Sequence, residues 1–260
     1  MNHLISVIIP TWNRSISIKK SIESVLKQSN TNFEVIVCDD GSTDDTRSTV
    51  EGLRIPCLKY LALPHTGLPA VARNRGIQAA KGDYVAFLDS DDTWTPDKLE
   101  LQMQFMQKNK SKLCGTNAYR LGDKSKKNML ANPPTICTYE HLLATNWLIA
   151  SSVLVDRNLL MKSGLFPETP SYRAYEDWLL WMRLSTFEPF YFLDKPLVIY
   201  NDNPAESIRS VQADWQTIIG ELQTAIIPWG IKNLYSHPHK RALIKSMYQS
   251  YIKANSRRKV

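Results

Sequence analysis

The chain has 260 residues, of which 43% are hydrophobic, and a formal net charge of +7 at neutral pH. This composition supplies enough apolar material for a sizeable core. Charged or polar residues interrupt every hydrophobic segment, so we expect no membrane-spanning helix, no signal peptide and a cytoplasmic location.

The positive charge is concentrated at the C-terminal end. Residues 231–260 contain eight of the 32 basic residues and no acidic residue, which leaves 24 bases against 25 acids elsewhere. A near-neutral body with a basic end is not typical of nucleic-acid binding, so no nucleic-acid partner is expected. If the C-terminal end is helical, it has an apolar face and a basic face. The apolar face would be formed by Leu243, Ile244, Met247, Tyr248, Tyr251 and Ile252, and the basic face by Arg241, Lys245 and Lys253. This pattern predicts either contact with an anionic membrane surface or packing on the rest of the protein.

The first hundred residues alternate between strand and helix patterns. Apolar, β-branched runs predict strands at residues 6–10, 33–38, 58–63 and from residue 84 onward. Helical spacing predicts helices between them, at residues 18–26, 43–50 and 70–81. Such alternation predicts a parallel sheet with right-handed crossovers.

Carboxylates directly follow two of these strands. Asp39 and Asp40 follow the second strand, and Asp89, Asp91 and Asp92 follow the fourth. Because residues at i and i+2 share a strand face, Asp89 and Asp91 are predicted to project together at the edge of the sheet where ligands bind. Clustered hard oxygen ligands there suit Mg²⁺ or Mn²⁺ holding a phosphate group. The alternative is that Asp39, Asp40 and Asp92 are turn or helix-cap residues.

The loop after the first strand excludes two nucleotide-binding classes. It has no glycine-rich dinucleotide motif, and the chain has no phosphate-binding Gly-Lys-Ser/Thr loop. Trp12 lies in this loop instead. An indole can stack on a base, and a carboxylate can accept the imide N–H of uracil, which cytosine lacks.

The pattern changes in the second half. We predict a helix at residues 98–106, a basic, loop-rich segment at 108–127 and a strand-like segment at 146–156. A buried helix is predicted from Glu176 onward, followed by a strand at residues 197–200.

Five motifs occur in one order along residues 4–200. They are Val7-Ile8-Ile9-Pro10-Thr11-Trp12-Asn13-Arg14, Val37-Cys38-Asp39-Asp40-Gly41-Ser42-Thr43-Asp44, Ala72-Arg73-Asn74-Arg75-Gly76-Ile77, Phe87-Leu88-Asp89-Ser90-Asp91-Asp92 and Tyr175-Glu176-Asp177-Trp178. In order and approximate spacing the chain resembles glycosyltransferase family 2. The resemblance implies an α/β fold of the GT-A type, which is Rossmann-like with a mostly parallel central sheet flanked by helices, here with a C-terminal helical extension. It also implies a nucleotide-sugar donor, Mn²⁺ or Mg²⁺, and inversion at the anomeric carbon.

This resemblance divides the chain into three parts. Residues 1–95 would be the nucleotide-sugar-binding half of the GT-A domain, and residues 96–205 the acceptor-binding and catalytic half of the same domain. Residues 206–260 would be a helical, basic extension.

Roles are carried over from the family position by position. The implied contacts with the nucleotide-sugar are Pro10, Thr11, Trp12, Asn13, Asp39, Asp40, Arg73, Asp89 and Ser90. Trp12 and Asp40 look like uracil contacts and Arg73 like the diphosphate contact. Asp177 matches the catalytic base, with Glu176 beside it. The alternatives are a solvated helix arginine at Arg73 and a helix N-terminal acid at Asp177.

The implied metal site is incomplete in this sequence. Asp91 matches the usual metal ligand, and Asp89 would face the ribose or a metal-bound water. Many relatives have a histidine after the strand at 197–200, where this chain has Asn201-Asp202-Asn203-Pro204. Either Asp202 or Asn203 supplies an oxygen, or the metal relies on Asp91, the diphosphate and water.

Cysteines and histidines do not offer another metal site. Cys38, Cys57, Cys114 and Cys137 lack paired or zinc-binding spacing, so reduced, buried thiols are expected. The histidines also lack metal-binding spacing, and surface or loop positions are expected for His3, His65, His141, His237 and His239.

The resemblance implies transfer of a sugar from a UDP-sugar to a hydroxyl of a glycan or lipid-linked acceptor of the undecaprenyl diphosphate type. The pathway would be bacterial surface polysaccharide synthesis, such as O-antigen or capsule, at the inner face of the cytoplasmic membrane. One alternative is a sugar-phosphate nucleotidyltransferase, but residues 10–14 lack the glycine-rich loop of those enzymes. The other is a non-catalytic scaffold that binds nucleotide-sugars, against which the Glu176-Asp177 pair argues.

Overall fold

The structure is a computed structural model that describes residues 3–203, 215–234, 244, 245 and 247–249. Its first part contains β1 (Ile5–Thr11), α1 (Ser17–Leu26), β2 (Phe33–Asp39), α2 (Thr46–Gly52), β3 (Leu58–Ala62), α3 (Pro69–Ala79) and β4 (Tyr84–Phe87). The four strands pair in parallel in the order β3-β2-β1-β4. The predicted alternation of parallel strands and helices is therefore confirmed.

The second part completes the same sheet. It contains β5 (Thr93–Trp94), α4 (Lys98–Asn109), β6 (Leu113–Arg120), β7 (Ile136–Cys137), α5 (Tyr139–Ala144), β8 (Leu154–Asp156), α6 (Arg157–Lys162), α7 (Glu176–Ser185), β9 (Phe190–Tyr200) and α8 (Trp215–Leu234). The strand order is β3-β2-β1-β4-β8-β6-β9-β5, and β7 pairs with β9. Strand β8 is antiparallel to β4 and β6, whereas β6 and β9 are parallel. The two predicted halves thus share one mixed sheet.

Strand β6 lies inside the segment that we predicted to be loop-rich, so that prediction was wrong for residues 113–120. The polar residues of this strand do not predict a buried strand, although its residues are buried from Leu113 to Tyr119. Asn117 is fully buried because its amide donates to the Leu130 carbonyl at 2.9 Å and to Asp194 at 2.8 Å, and accepts from the Leu130 N–H. A buried polar side chain is tolerated when its hydrogen bonds are made.

Other boundaries also differ from prediction. Of residues 146–156 only Leu154–Asp156 are a strand, because Ala150–Ser152 form a 3-10 turn in which the Ser152 hydroxyl donates to the Ile149 carbonyl at 2.7 Å. Such local bonds compete with sheet pairing. All four cysteines are free, but Cys57 is exposed, contrary to the expectation that all would be buried.

The core lies on both faces of the sheet. Strand β1 is buried at every position, with Ile8 facing a cluster that includes α3 and α7, and Ile5, Val7 and Ile9 facing one that includes α1 and α4. This double burial explains why its apolar run is continuous rather than alternating. The carboxyl ends of β1, β2 and β4 consequently lie side by side on a rigid base.

The C-terminal residues extend the first of these clusters. In α8, the buried residues Ile218, Leu222 and Ile226 pack in the cluster that contains α7. Of the predicted apolar face of the basic end, Met247 is buried against α8, whereas Tyr248 is 54% exposed. Leu243, Tyr251 and Ile252 lie outside the described residues. Within the described ranges, no helix combines the length and hydrophobicity that crossing a membrane requires.

A buried cation lies at the start of α4. The Lys98 side chain is fully buried, with its Nζ 2.7 Å from Gln102 Oε1 and 4.0 Å from the centre of the Trp94 ring. Burial lowers the pKa of Lys98 to about 7. The unfolded chain, with a lysine pKa of about 10.4, therefore binds more protons above pH 7, and stability should rise with pH up to about pH 10.

We accordingly expect Lys98→Met to raise the free energy of unfolding by about 2 kcal/mol near pH 6, where the cost of the buried charge is fully present. The gain should shrink as the pH rises from about 7 to about 10, because Lys98 is neutral in both states at the end of that range. Urea unfolding at several pH values measures this, and Lys108→Met, an exposed position on the same helix, is the control. A pH-independent gain, or a loss near pH 6, would contradict the assignment of the cost to the buried charge.

Candidate active site

The end of β2 turns two carboxylates inward. Asp39 Oδ1 accepts from the Ser42 N–H at 2.8 Å and from its hydroxyl at 2.7 Å, and the Tyr60 hydroxyl donates to Oδ2. Gly41 takes a φ of +73° in this turn, a conformation that favours glycine. Asp39 therefore holds the turn that follows its own strand.

Asp40 holds a second loop, the one after β3. Its Oδ1 accepts from the N–H and hydroxyl of Thr66 at 2.8 and 2.9 Å, and its Oδ2 accepts from the Gly67 N–H at 2.8 Å. The side chain is buried. Asp39 and Asp40 thus both make the turn contacts that were the alternative to nucleotide binding, and their contacts with a nucleotide stay predictions.

Trp12 lies beside these carboxylates at the end of β1. Its indole is 49% exposed and stacks on the His65 ring, with 4.9 Å between ring centres and 24° between planes. His65 Nδ1 lies 2.7 Å from the Asp40 carbonyl oxygen. We expected His65 to be a surface or loop residue and gave it no role in the site. Its position in the loop after β3, at the same edge of the sheet as Asp40, was the available signal.

The rest of the loop after β1 is fixed by its neighbours. Pro10 and Thr11 are the last residues of β1 and pair with Cys38 and Asp39 of β2. Asn13 has a φ of +50°, and its Oδ1 accepts from the backbone N–H groups of residues 43 and 44 at 2.8 and 3.4 Å. The loop thus presents Trp12 on a framework tied to both strands.

Arg73 connects the two halves of the domain. Its Nη2 donates to Asp89 Oδ1 at 2.8 Å, and its Nη1 donates to Glu176 Oε1 at 2.7 Å. Burial opposes the charge of Arg73, but Asp89 and Glu176 outweigh it and raise the Arg73 pKa above its usual value. The guanidinium is therefore a permanent cation between the loop after β4 and the start of α7, and the solvated helix arginine of the alternative is excluded by its 6% exposure.

Close packing of α3 on the sheet places Arg73. A Cβ added at Gly76 would lie 2.6 Å from Ile8 and 2.8 Å from the Cys38 sulfur. Only glycine allows the helix to approach β1 and β2 this closely. This contact explains the glycine three residues after Arg73 in the motif.

The first turn of α7 presents two buried acids. Glu176 is 5% exposed and Asp177 is 6% exposed. Asp177 Oδ1 accepts from the Trp178 N–H at 2.6 Å, and Trp178 donates its indole N–H to the Leu142 carbonyl at 2.6 Å. The predicted buried helix beginning at Glu176 is confirmed. The structure brings Glu176 to the Asp89 loop through Arg73.

The predicted shared face of Asp89 and Asp91 is not that of a strand. Strand β4 ends at Phe87, and the Asp92 N–H donates to the Asp89 carbonyl at 3.0 Å in a turn. Asp89 binds Arg73, whereas Asp91 Oδ2 lies 3.5 Å from an Arg14 nitrogen. The two carboxylates therefore have different cationic partners. Ser90, between them, is buried.

Asp92 has a different environment from its neighbours. Its Oδ2 accepts from the Ser151 hydroxyl at 2.6 Å and its Oδ1 from the Asn201 N–H at 2.8 Å. Burial and the charge of Asp89 raise the Asp92 pKa well above its usual value. Ser151 also accepts from the Asp89 N–H at 3.0 Å. Asp92 therefore anchors the turn that carries Asp89 and Asp91, and it is not a cap of α4, whose first residue is Lys98.

Asp89 and Asp91 are the carboxylates of this turn that face cationic side chains, Arg73 and Arg14 respectively. Asp91 already faces the cationic Arg14, and hard carboxylate oxygens suit Mg²⁺ or Mn²⁺. Asp202 is 55% exposed and accepts from Arg120 Nε at 2.7 Å. Among the residues that the structure describes, no three Asp, Glu, His or Cys side chains form a group that could hold a metal ion. The candidate ligands in this turn are therefore Asp89 and Asp91, and both arrangements of the metal site stay predictions.

Comparisons with known proteins identify the family of the chain. Residues 6–162 match the protein family described as Glycosyl transferase family 2. Escherichia coli WfgD, named a UDP-Glc:alpha-D-GlcNAc-diphosphoundecaprenol beta-1,3-glucosyltransferase, is 36% identical over 183 residues, which are 70% of this chain and 70% of WfgD. Escherichia coli WfaP has the same activity name and is 36% identical over 213 residues, 81% of this chain and 78% of WfaP.

A solved structure shows the same fold. Staphylococcus aureus TarS in complex with UDP-GlcNAc has a TM-score of 0.75 at 23% identity, covering 96% of this chain and 72% of that chain. The predicted GT-A type α/β fold, with a central sheet flanked by helices, is confirmed. With a family match over more than half of its residues, the chain belongs to glycosyltransferase family 2.

Proposed function

We propose that the chain is an inverting glycosyltransferase that transfers a sugar from a UDP-sugar to a hydroxyl of a lipid-linked glycan. The acceptor would carry an undecaprenyl diphosphate, in the assembly of a bacterial surface polysaccharide such as O-antigen or capsule. WfgD and WfaP are both named for glucosyl transfer from UDP-glucose to a diphosphoundecaprenol-linked sugar, so UDP-glucose is the first donor to test. The basic end, residues 231–260, would bring the enzyme to the anionic inner face of the membrane.

The Arg73 bridge is the observation that carries this proposal. It joins Asp89, in the loop where the donor diphosphate would lie, to Glu176, next to the candidate base. Arg73 Nε and Glu176 Oε2 are buried without a hydrogen-bond partner among the described residues. Buried polar atoms are normally satisfied, so these two atoms favour a ligand between the donor loop and α7.

Each of the candidate site residues would have its own role in binding the donor or in catalysis. Trp12, with Asp39 and Asp40, would bind the uridine, while Pro10, Thr11 and Asn13 shape its loop and Ser90 lies at the ribose. Arg73 would stabilise charge on the departing diphosphate, because a fixed cation there is already oriented before the reaction. Asp177 would take the proton of the acceptor hydroxyl as that oxygen attacks the anomeric carbon from the face opposite UDP. A Mn²⁺ or Mg²⁺ ion held by Asp89 and Asp91 would neutralise further diphosphate charge.

A donor and acceptor screen tests the proposal. UDP-glucose, UDP-GlcNAc, UDP-galactose and GDP-mannose are compared by thermal shift with Mg²⁺ or Mn²⁺, and then by UDP or GDP release with α-GlcNAc-diphosphate-lipid as acceptor. A UDP-sugar should raise the melting temperature, because a ligand that binds only the folded state stabilises it. Release of UDP should require the acceptor, and the α-linked sugar of the donor should become β-linked in the product. Turnover of GDP-mannose alone, or retention of the α configuration, would contradict the proposal.

A further inference from the structure

The backbone immediately before α7 is strained. Ala174 has a φ of +78°, in the left-handed region that costs a non-glycine residue roughly 1 kcal/mol or more. Such a conformation persists only where surrounding contacts enforce it. Ala174 lies two residues before Glu176, so the contacts that enforce it also determine how α7 begins.

Tyr175 supplies contacts that can enforce this turn. Its hydroxyl lies 2.5 Å from the Ser171 carbonyl oxygen, four residues back, and 2.5 Å from Glu221 Oε2 on α8. Burial, followed by the bond and charge of Glu221, raises the Tyr175 pKa above its usual value, so the phenol keeps its proton and acts as a donor. The hydroxyl thus ties the turn at residues 171–175 to a helix 46 residues further along the chain.

Helix α8 packs on α7 through buried apolar side chains. Ile218, Leu222 and Ile226 are buried in the same cluster as Trp178 and Trp181. Glu221 is adjacent to Leu222, so the packing of α8 on α7 determines where the Glu221 carboxylate lies relative to the Tyr175 hydroxyl. The tie therefore joins the first turn of α7 to a packed helix, and not to a free side chain.

The turn also borders the candidate site. Thr169 and Arg173 line a small cleft together with Glu176 and with Leu68 and Pro69 at the start of α3. Movement of residues 169–175 would therefore move the surroundings of Glu176 and the start of the helix that carries Asp177.

We propose that Tyr175 and Glu221 are positioning residues, through which α8 sets the orientation of Glu176 and Asp177 in the first turn of α7. This inference rests on the proposed function, since it gives part of the C-terminal extension a role in that reaction. Neither residue touches the reacting atoms. Their effect is expected on the chemical step and not on donor binding.

The test compares Tyr175→Phe, Glu221→Ala and the double variant with the wild type. Both single changes remove the bond between the Tyr175 hydroxyl and Glu221, and Tyr175→Phe also removes the contact of that hydroxyl with the Ser171 carbonyl. In each variant kcat should fall roughly 10-fold, because small misplacements of a catalytic group are costly. The double variant should be no slower than Tyr175→Phe, since loss of Glu221 removes nothing further from the pair once the hydroxyl is gone. KM for the UDP-sugar should stay within about 2-fold of the wild type.

Three comparisons separate positioning from general stability. Glu221→Gln keeps an oxygen that accepts from Tyr175 and should restore turnover. Thr224→Ala, an exposed position on the same helix, is the matched control and should leave kcat and hydrogen exchange unchanged. Hydrogen exchange of the amides of residues 175–179 should be faster in Tyr175→Phe and Glu221→Ala.

The outcomes are distinguishable. A purely structural pair would lower the melting temperature and leave kcat unchanged well below it, which would overturn the proposal, as would additive losses in the double variant. If the wild type transfers no sugar from any donor, the proposed function fails instead. The exchange measurement then still tests the tie, and unchanged exchange in Tyr175→Phe would overturn it.

Discussion

Replacing Asp177 by Asn is expected to lower kcat by roughly 100-fold or more while UDP-sugar and metal bind almost as in the wild type. Asparagine preserves the shape and can still accept from the Trp178 N–H through its amide oxygen. It cannot take the proton of the acceptor hydroxyl. The measurement pairs steady-state turnover with calorimetric titration of UDP, so that loss of the base is separated from loss of binding.

Glu176→Gln is the comparison that identifies the base. Its kcat should fall less than that of Asp177→Asn, because the side chain points about 100° away around the helix and is held by Arg73. The free energy of unfolding of Glu176→Gln should fall by about 1–3 kcal/mol, more than that of Asp177→Asn, since the buried bond between Glu176 and Arg73 loses one of its charges. The reverse order of kcat values would make Glu176 the base. Near wild-type turnover in both variants would refute the proposed mechanism.

Asp91→Ala is expected to abolish most turnover and to weaken metal-dependent UDP binding. The substitution removes the ion pair between Asp91 Oδ2 and Arg14, whose nitrogen lies 3.5 Å away. It would also remove a carboxylate that is proposed to hold the metal against the diphosphate. Asp89→Ala should act in the same direction but less severely. Calorimetric titration of UDP with and without Mn²⁺ measures the effect.

Asp92→Ala is the matched control in the same turn. It removes a carboxylate from the Ser151 hydroxyl and the Asn201 N–H, so the melting temperature should fall clearly more than in Asp91→Ala. Metal-dependent UDP affinity that is unchanged in Asp91→Ala would exclude Asp91 from the metal site. Equal loss of stability in both variants would show that Asp91 also anchors the turn.

Much of the first hundred residues was predictable because the signals there are local. Apolar runs predicted β1, β2 and β4, and the carboxylates that follow β2 and β4 lie on either side of the end of β1. Their individual contacts were not predictable. The sequence placed Asp92 in the turn or at a helix cap, but its partners Ser151 and Asn201 are 59 and 109 residues away in sequence. Only the tertiary structure shows that Asp92 anchors the turn that carries Asp89 and Asp91.

The second half was harder for a related reason. Strand β6 carries Gly115 and Asn117, two residue types that are depleted in strands, and Asn117 is buried only because Leu130 and Asp194 satisfy its hydrogen bonds. The start of α7 was predicted from its apolar run, whereas the ion pair of Glu176 with Arg73 spans 103 residues. Composition cannot report such distant pairs.

The place of β9 in the sheet has a consequence for how the protein is made. Strand β9 lies between β6 and β5, and in the described part of the chain it is the strand that pairs with β5. Strand β5 emerges from the ribosome early, but it has no paired strand until residues 198 and 199 have been synthesised. The ion pair between Arg73 and Glu176 likewise cannot form until residue 176 has been synthesised. The nascent chain therefore carries an unfinished sheet edge until β9 has been synthesised, and the site cannot assemble before Glu176 has been added. Exposed edges of this kind are prone to aggregation, which makes the interval before β9 is inserted the vulnerable stage in producing this enzyme.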